Sequence, residues 1–93
     1  MEILRPASAG TLESCDAAVT VEPRAADAMP AIEVVIEGGD GRFASQVRAA
    51  ALAALGELGV ERARIHVRDR SALDCTVRAR VLAACLRAAE AKS

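Results

Sequence analysis

The chain has 93 residues, 53% of them apolar and 27% charged, with 12 Lys and Arg against 13 Asp and Glu. One domain fits that length, and the balance is that of a folded chain rather than a disordered one. A net charge of -1 and a single aromatic residue, Phe43, argue against nucleic-acid binding, which wants a basic field and stacking rings.

In chain order, residues 1–10 hold Pro6, Ser8 and Gly10 and read as an extended, flexible lead-in. Thr11-Leu12-Glu13 is predicted as a short first strand. Ser14-Cys15-Asp16 is predicted as a turn, because Ser and Asp side chains bond the local backbone. Val19 and Val21 alternate with Ala18, Thr20 and Glu22, which makes a second strand that stops at Pro23. Residues 23–30 read as a loop. Residues 31–37 form the clearest strand, with Ile32, Val34 and Ile36 on one face and Glu33, Val35 and Glu37 on the other. Gly38-Gly39-Asp40-Gly41 is a turn, and Asp40 is placed to cap the helix that follows. That helix carries a stripe of Phe43, Val47, Ala51, Leu55 and Leu58. Gly59 is its left-handed stop, with Val60 folding back on the last turn. Residues 64–69 make a fourth strand, Ile65 and Val67 inward, Arg64, His66 and Arg68 outward. Asp74 is expected to cap a last helix over residues 75–89, rather than to act as a functional carboxylate.

The third and fourth strands, joined through a helix, should be parallel neighbours with a right-handed crossover. Glu33 and Glu37 would then pair with Arg64 and Arg68 across them. One sheet face is polar and the other apolar, so both helices belong on the apolar face. The predicted fold class is α+β: two layers, a mixed sheet of about four strands with two helices packed on one face. Residues 1–93 form a single domain.

Few residues offer chemistry. His66, the single histidine, lies on the polar side of a strand and reads as a solvated surface residue with no orienting carboxylate nearby in sequence. The glycines at 38–41 lack the spacing and the lysine of a phosphate loop. Cys15, Cys75 and Cys85 are an odd set without CxxC spacing, so reduced thiols are expected and no zinc knuckle. No catalytic residue and no metal site is assigned. No apolar run reaches the roughly 18 residues of a bilayer span, so no membrane is implied. The N-terminus lacks the pattern of a signal peptide, which makes the cytoplasm the expected location. Arg78 falls among Val77, Val81, Leu82, Cys85 and Ala88 on the apolar side of the last helix. A guanidinium there needs a carboxylate or a phosphate. An intramolecular pair, a side chain snorkelling at the layer edge and a partner contact are all open.

Ser14, taken alone, is an ordinary turn residue. In company it is more. Ala9-Gly10-Thr11-Leu12-Glu13-Ser14-Cys15-Asp16 resembles the attachment segment of the citrate lyase acyl carrier protein family, the small gamma subunit. Val21-Glu22-Pro23, Leu58-Gly59-Val60-Glu61 and Ala72-Leu73-Asp74-Cys75-Thr76-Val77-Arg78-Ala79-Arg80 follow in register, so the resemblance covers nearly the whole chain. It implies a carrier without catalysis of its own. A covalent 2'-(5''-phosphoribosyl)-3'-dephospho-CoA would hang from Ser14 through a phosphodiester, absent from protein made in a foreign host. The arm's thiol would hold acetyl and then citryl as thioesters. The implied partners are a prosthetic-group transferase, a transferase (alpha) subunit that exchanges acetyl for citrate on the arm, and a lyase (beta) subunit that cleaves the citryl thioester to oxaloacetate and the acetyl carrier, so that the complex converts citrate to acetate and oxaloacetate. Carriers of citramalate lyase and malonate decarboxylase are close alternatives, and an unmodified α+β binding module is a further one. Glu13 and Asp16, flanking the anchor, are candidates for contact with a basic partner surface, alongside Arg78. Plain turn chemistry is the competing reading for both acids.

Overall fold

A computed structural model describes residues 1–39 and 41–89. The elements run β1 (Ala7–Ala9), β2 (Ala17–Glu22), β3 (Ile32–Gly38), a short 3-10 turn (Gly41–Phe43), α1 (Ala44–Leu58), β4 (Ala63–Asp69) and α2 (Asp74–Ala89). The sheet order is β1-β2-β4-β3. β1 and β4 each pair antiparallel with β2, whereas β3 pairs parallel with β4, as a helical crossover requires. The fold is thus the α+β architecture read from the sequence: a four-stranded mixed sheet and two helices.

The pleat sorts the side chains. Val19, Val21, Val34, Ile65 and Val67 are buried beneath the helices, each adding about 1.5–3 kcal/mol as an upper figure. α1 contributes Val47, Ala51, Ala54 and Leu55, and α2 contributes Val77, Val81, Ala84, Cys85 and Ala88. Small alanines on both inner faces let the helices lie close to the sheet and to each other. Gly59 ends α1 at φ 66; its N–H reaches the Gly56 carbonyl, and the Val60 N–H reaches the Leu55 carbonyl. This is the expected left-handed stop, and Val60 is buried by it. On the open sheet face Arg64 Nε stands 3.0 Å from the Glu33 carboxylate, the predicted cross-strand pair. Glu37 is opposite Arg68 in register, but its carboxylate lies 3.5 Å from His66 Nε2, so the fold supplies the acid that the local sequence lacked.

Four expectations are corrected. The first strand is Ala7–Ala9, not residues 11–13, because the register Ala7↔Val21 to Ala9↔Val19 uses backbone groups that a small-residue segment supplies without a hydrophobic pattern. The lead-in is docked: Ile3 is buried, and the N–H groups of Leu4 and Arg5 donate to the Ala88 carbonyl. Phe43 belongs to the 3-10 turn and is 47% exposed, since that turn shifts its register off the helical stripe. Asp74 is the first residue of α2 rather than its cap; the Leu73 carbonyl accepts from Thr76 and Val77 N–H, and the Asp74 charge sits in the positive first turn. Asp40, expected to cap α1, lies outside the described residues.

Candidate functional site

The connection between β1 and β2 carries Ser14. It begins at Gly10, whose φ of 90 turns the chain so tightly that a Cβ there would lie 1.9 Å from the Ala17 carbonyl oxygen. Only glycine fits that neck. Beyond it Asp16 organises the loop from inside. Its carboxylate accepts the Thr11 hydroxyl at 2.7 Å, the Thr11 N–H at 3.1 Å and the Ala17 N–H at 2.7 Å. Arg80 of α2 closes the set, Nε at 2.9 Å and a terminal nitrogen at 3.4 Å. The Arg80 guanidinium first, then the Thr11 and Ala17 donors, holds the Asp16 carboxyl well below its usual range. Glu13 N–H in turn donates to the Thr11 hydroxyl at 3.2 Å.

The tip is a β-turn over 13–16, closed by the Asp16 N–H to the Glu13 carbonyl at 3.1 Å. Cys15 takes the third position at φ 67, where such turns favour Gly or Asn. Its N–H donates to the Arg70 carbonyl at 2.7 Å, and Arg70 N–H returns to the Asp16 carbonyl at 2.9 Å. The turn is therefore stitched to the end of β4 and clamped to α2. Ser14, at the second position, is exposed; its hydroxyl lies 3.9 Å from the Cys15 thiol. Glu13 is exposed beside it.

Of the two readings of Asp16, partner contact and turn chemistry, the geometry fits the second. The Asp16 side chain is 14% exposed and spent on internal donors, so it holds the turn. Arg78 is exposed rather than buried, and of the readings left open for it the intramolecular pair is the one seen, a two-point pair with Glu57 of α1 through Nε at 2.7 Å and a terminal nitrogen. The arginine that reaches the Ser14 loop is Arg80. Its partner is 64 positions away, a distance no local pattern bridges.

A groove of about 680 Å³ opens on the same end of the molecule, where parallel strands β3 and β4 stop and both helices start. Phe43, Gln46 and Val47 line it from the α1 side, and Asp69, Leu73 and Cys75 from the other. Asp69, read before only as a strand residue, is buried and accepts the Ala72 N–H at 2.9 Å, which shapes the link from β4 to α2. The three cysteines are free; burial pushes the Cys85 thiol up to about 11, while Cys15 and Cys75 are exposed. Among the described residues no His, Cys, Asp and Glu cluster could hold a metal ion, and no helix is long and apolar enough to cross a membrane.

The family described as the malonate decarboxylase delta subunit (MdcD), an acyl carrier protein (ACP) family, matches residues 4–88. The chain is 39% identical to the citrate lyase acyl carrier protein of Lacticaseibacillus casei over 93 residues, spanning 100% of this chain and 89% of that one. It is 44% identical to that of Escherichia fergusonii over 91 residues, 97% and 91% of the two chains. With that of Vibrio cholerae it shares 39% over 94 residues, 100% and 93%. The chain belongs to the citrate lyase acyl carrier protein family. No solved structure matches it significantly. Membership accounts for a molecule with an exposed, braced turn: this is a carrier.

Proposed function

We propose that this carrier serves a citrate lyase complex in the cytoplasm, with Ser14 as the covalent anchor of a phosphoribosyl-dephospho-CoA arm. When attached, the arm supplies a thiol on which acyl groups ride as thioesters. The observation that carries the reading is the exposed Ser14 hydroxyl on a turn fixed from three sides, by Asp16, Arg70 and Arg80. A modifying transferase needs an accessible hydroxyl, and the turn offers one without local unfolding. A phosphodiester to serine is slow to hydrolyse at neutral pH, so the link outlasts many loading cycles.

The protein's own contribution is position. A tethered group meets successive active sites at an effective concentration in the millimolar range for a short flexible link. Glu13, beside the anchor, repels the arm's phosphates and keeps the tip solvated; it and the Arg78–Glu57 pair are the proposed contacts for the alpha and beta subunits. The match to the malonate decarboxylase delta family keeps one second reading in view, a carrier for that decarboxylase. The full-length relatives named for citrate lyase favour the first.

Peptide mapping of protein purified from its native host tests the anchor. The expected result is one phosphodiester-linked adduct, of the mass of the whole arm, on the Ser14 peptide. Unmodified Ser14 in cells that express the modifying enzymes, or an adduct elsewhere, overturns it. Reconstitution with citrate lyase and with malonate decarboxylase catalytic subunits separates the two readings.

A further inference from the structure

Phe43 is the sole aromatic residue of the chain and is 47% exposed; Leu73 is 70% exposed. Both line the groove at the ends of β3 and β4. One residue separates that groove from the Ser14 turn: Arg70 exchanges backbone hydrogen bonds with Cys15 and Asp16, and its chain neighbours Asp69 and Ser71 are groove residues. In open sheets, the crevice beyond the carboxyl ends of parallel strands is where ligands bind. The volume of about 680 Å³ falls within the ordinary range for a small-molecule site.

The lining decides what fits. The carboxylates of Asp69 and Asp74 disfavour a phosphate and favour a neutral group with N–H or O–H donors. Gln46 offers a donor and an acceptor, and Phe43, with the Arg42 guanidinium 5.6 Å from the centroid over one side of its ring, offers aromatic surface. A flat, uncharged, amine-bearing heterocycle meets all three demands. We propose that the groove docks the adenine base of the arm, leaving its thiol end free. This rests on the arm at Ser14 proposed above. The order of groups along that arm agrees: a phosphate and sugar units alone stand between the Ser14 oxygen and the base, whereas the thiol must stay outside to reach partner active sites. The docked base makes the first part of the arm rigid and sets the direction in which the rest leaves the protein.

NMR of holo and apo protein from the native host tests this, with intact mass showing the Ser14 adduct in the same sample. Cross-relaxation between the base protons and the Phe43 ring is expected, with an upfield shift of the base signals. Alkylation of Cys75, a groove residue, should be several-fold slower in holo than in apo protein when read by peptide mapping, with the buried Cys85 unreactive in both. Phe43→Leu, which keeps an apolar side chain and removes the ring, should abolish the upfield shift while the Ser14 adduct mass is unchanged. Base signals at free-coenzyme positions and equal Cys75 rates, with the adduct present on Ser14, overturn the docking and leave the carrier function standing. No adduct on Ser14 overturns both.

Discussion

Arg78 and Arg80 lie one turn-fraction apart on α2, yet they tie together different parts of the molecule. Arg80 reaches down to Asp16 and braces a loop that has no regular structure of its own. Arg78 reaches sideways to Glu57 and links two helices whose buried faces already hold them. Each arginine meets its carboxylate at two points, but only the first is paired with an acid that also collects three further donors. An ion pair between exposed long side chains adds little to stability. One that completes a hydrogen-bonded loop decides the shape of that loop. The comparison teaches that the same residue type, two positions apart, can shape a loop from within or join two helices at the surface.

The largest effect that sharpens this contrast is at Ser14, the proposed anchor. Ser14→Ala should lose all covalent loading in an intact-mass assay while the thermal midpoint stays within error of the parent, because the Ser14 side chain is exposed and the turn is held by other groups. Gly10→Ala comes next. Strain at φ 90 and the collision with the Ala17 carbonyl should cost roughly 2–4 kcal/mol in chemical denaturation. A loss under about 0.5 kcal/mol, the ordinary scatter of surface changes, would mean the neck is not tight.

Arg80→Ala should lower the thermal midpoint more than Arg78→Ala does, and should slow modification of Ser14 several-fold as the turn loosens. Equal effects of the two variants would erase the distinction between the arginines. Acid behaviour tests the clamp separately. The Asp16 carboxyl is depressed in the folded chain, so its stabilisation is complete above its usual value of 3.8 and is lost as pH falls below that. Arg80→Ala should make the fall in stability below about pH 4 visibly shallower. Smallest of all, the effect of Arg78→Ala on the midpoint should shrink further at about 1 M salt, where exposed pairs are screened.

Much of the frame was readable because it rests on local periodicity. The alternation in β2, β3 and β4, the crossover that makes β3 and β4 parallel, the Glu33–Arg64 pair and the Gly59 stop all follow from short-range pattern. The failures share a cause. β1 is three small residues that pair through backbone alone, so no side-chain period marks it. Asp16 and Arg80 are joined only by the fold, and each looked ordinary in its own segment. Phe43 fits a helical stripe on paper, but a 3-10 turn sets its actual direction. Ser14 is singled out only through resemblance to a family, since a serine in a turn announces nothing by itself.

β2 and β4 are the two inner strands of the sheet, and the Ser14 turn runs straight into one while its amide and carbonyl neighbours grip the other. A load hung from that hydroxyl would therefore pull along the middle of the sheet, in shear across many backbone bonds, and would not peel an outer strand. With Ser14 as the proposed anchor, a lever swung between enzymes would gain a fulcrum that does not fray.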